Sequence, residues 1–462
     1  MKIRFGTDGW RGIIGEDFTF ANVRKVSQAI ADFLKKKRAK RVVVGYDSRF
    51  LSPEFAFTVS SVLNGNDIEV DISSTIVPTP VISFITRYGN YDLGIMITAS
   101  HNPYKFNGLK IKTKEGGAAD ENLTGEIEKF LGKSRVKLLD VKEAEKKNLL
   151  KRKDFTKRYM DFLKSFVEIR RIKKVRLKVL LDLMYGAGDF FSQKILEGSQ
   201  IEIDYLHKEY NPSFGGIHPE PVEENLKELI KKVKKDKYDF GVALDGDGDR
   251  IALVTSSGRF INAQIILPLL AIHMIKNRKE NLGIGKTVVG SNLIDEVAIS
   301  LGVGCFETPV GFKYISNLFK QNLICIGGEE AGGIGFKGYI PERDGNLSFL
   351  MLLEMIAYEG KSLDELIKEL ESKYGKWYYR RISISIKDIK KDLKFLKIPE
   401  TILGEKIERV NRLDGIKMIT KNSWLMLRKS GTEPIVRIYA EARKKRICNA
   451  LLELGKKMIY AL

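Results

Sequence analysis

Short apolar runs recur along the chain, each closed by glycine or a polar residue and followed by a stretch with helical spacing. Residues 41–47 (Arg-Val-Val-Val-Gly-Tyr-Asp), 93–97, 178–184, 238–245, 287–290 and 323–326 are such runs. Runs of this kind predict buried strands, and their alternation with helical stretches predicts parallel α/β layers. The last part of the chain reads differently. Residues 381–386 (Arg-Ile-Ser-Ile-Ser-Ile) alternate with period two, as a half-exposed strand does. Residues 424–427 and 435–439 follow as strands, and a closing helix begins near Lys444. The fold class expected is therefore α/β, with three similar α/β domains and a C-terminal α+β domain. Lys-rich helical stretches near 140–155 and 365–378, with a third junction after the strand leading out of Asp249, divide the chain into 1–150, 151–254, 255–372 and 373–462.

Composition narrows the class. With 462 residues, 43% of them hydrophobic, the chain is long enough for several cores and does not read as disordered. Cys305, Cys325 and Cys448 lie far apart, which excludes a disulfide scaffold and a cysteine zinc site and fits a reducing compartment. The opening residues carry no apolar signal core, and the uncharged run 260–275 contains Asn262, Gln264, Pro268 and His273 and falls short of the roughly 20 apolar residues of a membrane span. The expected location is the cytoplasm, with no membrane partner. The net charge of +20 is spread over clusters at 35–38, 170–174, 231–235 and 443–446, none interleaved with aromatics. They read as solvated helix faces, and no nucleic-acid partner is expected.

Four loops carry candidate chemistry. Thr98-Ala99-Ser100-His101-Asn102-Pro103 follows a strand and offers a serine at a strand edge, with Lys110 nearby. Ser-His adjacency alone does not make a nucleophile–base pair. Asp245-Gly246-Asp247-Gly248-Asp249-Arg250 also follows a buried strand. Three carboxylates at alternate positions repel one another without a counter-ion, and oxygen donors suit a hard cation such as Mg²⁺. The EF-hand spacing fails, because Arg250 and Ser256 stand where that loop needs Gly and Glu. Gly327-Gly328-Glu329-Glu330-Ala331-Gly332-Gly333 brings backbone and carboxylates together as a sugar-binding turn does, with Thr308-Pro309-Val310-Gly311-Phe312-Lys313 upstream and Arg343-Asp344-Gly345 downstream. Arg428-Lys429-Ser430-Gly431-Thr432-Glu433-Pro434 combines a cation, two hydroxyls and glycine, the makings of a phosphate nest or of a capped hairpin turn.

All four loops, in this order, together with the opening Phe5-Gly6-Thr7-Asp8-Gly9-Trp10-Arg11-Gly12, resemble the α-D-phosphohexomutase superfamily over essentially the whole chain. The resemblance implies four domains around a central cleft. It implies Ser100 as a phosphoserine, with Asp245, Asp247, Asp249 and the phosphoserine oxygen holding Mg²⁺. Arg11, His101, Lys110 and Arg250 would surround the phosphoryl group, and Lys110 and Lys313 match acid/base positions. Thr308, Gly311, Glu329 and Ala331 would face the sugar, and Arg428, Ser430, Gly431 and Thr432 the phosphate that does not react. The implied activity is reversible transfer between the 1- and 6-positions of a hexose phosphate through a sugar 1,6-bisphosphate, by a monomer or homodimer. Glucose is the favoured sugar and mannose the alternative. A phosphoglucosamine mutase, a phosphosugar hydrolase and a non-catalytic sugar-phosphate binder are the rival readings. Ala331 stands where relatives carry serine, and Gly333 where some carry histidine, so the sugar contact and the proton acceptor are left open.

Overall fold

Valine- and isoleucine-rich runs form strands in the middle of covered sheets. The computed structural model describes residues 3–6, 9–188, 191–385, 393–430 and 435–462. In the first sheet, β1 (Trp10–Ile13), β2 (Arg41–Tyr46), β3 (Glu69–Ser73), β4 (Leu93–Ile97), β5 (Phe106–Lys112) and β6 (Leu150–Lys153) lie in the order β1-β5-β4-β2-β3-β6. The second places β7 (Arg176–Asp182), β8 (Gln200–Leu206), β9 (Phe240–Leu244), β10 (Ile251–Thr255) and β11 (Phe260–Ile261) in the order β11-β10-β9-β7-β8. The third takes β12 (Gly283–Thr287), β13 (Cys305–Thr308), β14 (Ile324–Gly328) and β15 (Ile334–Phe336) as β13-β12-β14-β15.

The fourth domain opens with β16 (Tyr378–Ser385) and a small ribbon of β17 (Thr401–Ile402) and β18 (Glu405–Lys406). Then β19 (Arg409–Asn411), β20 (Ile416–Ile419), β21 (Ser423–Lys429) and β22 (Ile435–Ala442) join β16 in an antiparallel sheet. Helix Lys445–Tyr460 closes it by burying Cys448, Leu451, Leu452 and Ile459.

Three α/β domains and a C-terminal domain are thus present, with three differences from the sequence expectation. The layers are not purely parallel: β4–β5, β9–β10 and β14–β15 are antiparallel pairs, each bracketing one of the candidate loops. The strand expected at 287–290 is displaced to Gly283–Thr287, and Val288 and Val289 instead pack against Trp424, Met426 and Tyr439 of the fourth domain. Their apolar character reports a domain contact. Finally, β6 and β11 carry the first and second sheets past 150 and 254. These edge strands are short, and β6 is mostly charged, so neither leaves an apolar run to read. Ile386 of the alternating run, and Thr7 and Asp8 of the opening motif, lie outside the described residues.

One apolar cluster runs through the first three domains, joining Ile82 and Phe84 to Leu181 and Val242 and to Ile326, Leu350 and Leu353. The fourth has its own, with Ile416, Leu425, Leu427, Ile438 and Leu451. No helix among the described residues is long and apolar enough to cross a membrane.

Candidate active site

Ser100 sits three residues beyond β4, fully buried, with φ of 53°. A non-glycine residue in the left-handed region costs about 1–3 kcal/mol and persists only where its surroundings fix it. Here its N–H donates to Thr98 Oγ1 at 2.9 Å, and the buried Arg49 guanidinium gathers the loop's carbonyls. Arg49 donates to the carbonyl oxygens of Ser100 (2.5 Å), Asn102 (2.6 Å), Pro103 (2.9 Å) and Phe106 (3.0 Å), and its Nε lies 3.2 Å from Asp47. From β1, Arg11 donates to Asn102 Oδ1 at 2.6 Å. His101 has a buried Nδ1 without a hydrogen-bond partner among the described residues. Burial, and then the cations Arg250, Arg11, Arg381 and Lys110, hold its pKa well below the usual histidine value, so the imidazole is neutral.

The acidic loop joins β9 to β10 and meets this serine directly. Ser100 Oγ donates to Asp245 Oδ2 at 3.1 Å. Glycine at 246 permits the approach, because a Cβ there would lie 2.5 Å from the Ser100 carbonyl oxygen. Asp245, Asp247 and Asp249 are all buried, each offering an oxygen within 4.8 Å of the others. Burial, then Asp249 and Asp247, push the Asp245 carboxyl well above the usual range. Asp245 Oδ1 accepts from the N–H groups of Asp249 and Arg250, while Thr79 Oγ1 donates to Asp247 Oδ2 at 2.5 Å. Lys110 Nζ, buried on β5, lies 2.8 Å from Asp247 and 3.1 Å from Asp249, and the Arg250 guanidinium 3.8 Å from Asp245 and 3.7 Å from Asp249. Asp249 Oδ1 is buried with no hydrogen-bond donor among the described residues. Three converging hard oxygens, one of them without a donor, fit a divalent ion such as Mg²⁺.

The Gly-Glu-Glu loop between β14 and β15 docks on the acidic loop: Ile251 N donates to Gly332 O at 3.0 Å. Ala331 is half-buried at its tip. Glu329 Oε2 receives Arg343 Nη1 at 3.1 Å, and Arg343 Nε lies 2.9 Å from Asp249 Oδ2. The flanking residues are equally engaged. Glu342 pairs with Lys112 of β5 at 2.6 Å, both fully buried. Asp344 accepts from Tyr159 (2.7 Å) and Tyr339 (2.8 Å) and caps helix Gly345–Glu359 through Leu347 N; burial pushes its carboxyl up to about 6.

The fourth domain reaches in through Arg381, which donates to Glu220 (2.5 Å) and Glu330 (3.0 Å). Arg428 Nε donates to Asp414 Oδ2 at 2.8 Å, and the same oxygen accepts from Val310 N at 2.9 Å. Ser430 is buried beside it, whereas Gly431 and Thr432 lie outside the described residues.

Of the sequence candidates, Ser100, Asp245, Asp247, Asp249, Lys110 and Arg250 come together, with Arg11 and His101 on the serine loop and Glu329 tied in through Arg343. Lys313 instead pairs with Glu121 of the first domain at 2.6 Å. Thr308 ends β13, hydrogen-bonded to the Lys286 and Pro309 carbonyls, and Gly311, at φ 133°, precedes the helix that carries Lys313. Arg49, Thr79, Lys112, Glu220 and Arg381 were not singled out from the sequence, and Arg343 was noted only as lying downstream of the Gly-Glu-Glu loop. Arg49 had a readable signal, a charged residue just after a buried strand.

So many buried cations facing three carboxylates suit a small, multiply charged anion, and a serine hydroxyl set among them belongs to an enzyme that handles phosphoryl groups. Family models for phosphoglucomutase/phosphomannomutase match in chain order: α/β/α domain I at residues 2–136, domain II at 157–258, domain III at 262–374 and the C-terminal domain at 385–453. The chain belongs to this family of the α-D-phosphohexomutase superfamily, whose members are isomerases acting as intramolecular phosphotransferases. It is 33% identical over 460 residues to a phosphoglucomutase/phosphomannomutase of Thermococcus kodakarensis, covering 98% of each chain. It is 32% identical over 458 residues to a phosphoglucosamine/phosphogalactosamine mutase of Sulfurisphaera tokodaii, again over 98% of each. A crystal structure of a Thermus thermophilus protein described as a phosphomannomutase superposes with a TM-score of 0.88 at 33% identity, over 99% of both chains.

Proposed function

We propose that the protein interconverts hexose 1-phosphate and hexose 6-phosphate, with glucose the favoured sugar and mannose the alternative, through a phosphorylated Ser100. The 3.1 Å contact between Ser100 Oγ and Asp245, at the centre of the buried charge cluster, carries this reading. The phosphoryl group passes from Ser100 Oγ to the free hydroxyl of a sugar monophosphate. A phosphorus–oxygen bond forms to the sugar, the bond to Oγ breaks, and a sugar 1,6-bisphosphate results. That bisphosphate turns over in the cleft and returns its other phosphate to Ser100, so a trace of it serves as activator.

A Mg²⁺ held by Asp245, Asp247, Asp249 and the phosphoserine oxygen would supply charge neutralisation on the transferring oxygens when bound. Arg11, Lys110 and Arg250 add positive charge around the same group. Arg49 fixes the serine loop's direction. The attacking hydroxyl must lose its proton to a general base, and neutral His101 lies next to Ser100 beside the phosphoryl group. Glu329 binds sugar hydroxyls, with Thr308, Gly311 and Ala331 around the ring. Arg428, Ser430, Gly431 and Thr432 hold the distal phosphate, and Lys313 stands at the domain I–III seam as a further acid/base group.

Glucosamine phosphate is the second reading, favoured by the near-equal identity to the Sulfurisphaera tokodaii mutase. A coupled assay with the 1-phosphates of glucose, mannose and glucosamine, run with Mg²⁺ and a trace of sugar bisphosphate, separates the two. Inactivity with all three overturns the mutase reading. Ser100→Ala is expected to lower turnover by at least about 10⁴-fold while sugar-phosphate binding remains. Undiminished turnover would remove Ser100 as the nucleophile.

A further inference from the structure

Arg343 touches both halves of the site with one guanidinium. It is almost completely buried, with Nε 2.9 Å from Asp249 Oδ2 and Nη1 3.1 Å from Glu329 Oε2. Its stem passes through the room beside Gly333, where a Cβ would lie 2.4 Å from Arg343 Cδ. No positive φ is required at 333, so the glycine serves the passage of the arginine. The backbone on either side is pinned, by Glu342 to Lys112 and by Asp344 to Tyr159 and Tyr339. The guanidinium is therefore held in place, and it cannot shed its charge.

We infer that Arg343 is a positioning residue with two opposed effects: it fixes Glu329 for the sugar hydroxyls, and it competes with a divalent cation for Asp249. The first effect rests on the hexose-phosphate reading above; the second rests only on the acidic loop. Asp249 Oδ2 already faces two cations, Lys110 at 3.1 Å and Arg343 at 2.9 Å. An ion that takes this oxygen must do so against a permanent positive charge in contact with it. Removing that charge therefore favours the ion, while Glu329 loses the donor that aims it. A residue needed only for folding would weaken both sites together.

The test uses the full chain. Mn²⁺ binding is followed by electron paramagnetic resonance without sugar, and KM and kcat are measured with glucose 1-phosphate and Mg²⁺. Arg343→Gln is expected to bind Mn²⁺ roughly tenfold tighter and to raise KM roughly tenfold, with a smaller change in kcat. Arg343→Lys keeps the charge but not the fork, so Mn²⁺ affinity stays near that of the parent while KM remains raised. Gly333→Ala, which keeps the arginine and crowds its stem, is expected to raise KM as well. Equal losses of Mn²⁺ and sugar affinity in Arg343→Gln, or no change in either, overturn the inference. If the parent turns over no hexose 1-phosphate yet Arg343→Gln still binds Mn²⁺ more tightly, the sugar reading fails and the competition for Asp249 stands. If the parent is active and Mn²⁺ binding does not tighten, the inference fails alone.

Discussion

Around residues 245–249, side chains from three domains converge within hydrogen-bond reach of one another: Ser100, Thr79 and Lys110 from the first, the aspartates from the second, Arg343 from the third. Beneath them runs one continuous apolar core. The fourth domain meets the rest through a small cluster, Val288 and Val289 against Trp424, Met426 and Tyr439, and through the ties of Arg381, Asp414 and Arg443. Separating the first three domains uncovers a shared interior; separating the fourth uncovers one small apolar patch, a few half-exposed ion pairs and the buried polar contacts of Lys417 and Glu441. The cost of movement is therefore higher around the reacting atoms than where the distal phosphate is proposed to bind. A reaction that presents one molecule in two orientations needs such a division between a fixed and an adjustable end.

The contrast is broken most severely at Lys112. This lysine and Glu342 form a fully buried pair joining the first and third domains. Lys112→Met leaves the buried Glu342 without its partner cation, which is expected to cost about 3–5 kcal/mol, read as a lower midpoint in chemical denaturation. An unchanged midpoint would show that the two domains do not depend on this pair. Next in size is Arg49→Lys. An ammonium cannot hold four carbonyls in one plane, so the serine loop relaxes and kcat is expected to fall about 10²-fold, with sugar-free Mn²⁺ binding retained. Unaltered kcat would mean that the loop keeps its shape without the fork.

The smallest effect belongs to the other side of the comparison. Lys417 Nζ, buried against the Trp424 ring, donates to Val288 O at 2.7 Å and to Glu307 Oε2 at 3.3 Å across the domain III–IV contact. Burial, then Lys286, pushes its pKa down to about 8. Between about pH 8 and 10.5 the unfolded chain binds the proton and the folded chain has released it, so this group makes stability rise with pH in that window. Lys417→Met is expected to flatten that rise, with a net change in stability at pH 7 of no more than on the order of 1 kcal/mol after loss of the Val288 and Glu307 contacts. Parallel stability–pH curves for the two proteins would refute it.

The chain itself disclosed the strands that are buried on both faces and the loops that follow them, because both depend on local sequence. Ser100 and the three aspartates were legible for that reason. Lys112 and Arg381 act across some 50 to more than 200 residues of sequence, and nothing local distinguishes a lysine bound for the interior from the many that face water. The pair Val288–Val289 misled in the same way: an apolar run says that residues are covered, not by what. The missing histidine at 333 became intelligible only with the neighbour in view, since Arg343 fills the space an imidazole would need.

Glu342, Arg343 and Asp344 are consecutive, yet they answer to Lys112, to Asp249 with Glu329, and to a tyrosine pair. A single inserted or deleted residue there would rotate every one of these side chains onto the wrong correspondent at once. Spacing in this tripeptide is therefore as constrained as its chemistry, and length changes during divergence should accumulate elsewhere between β15 and the following helix.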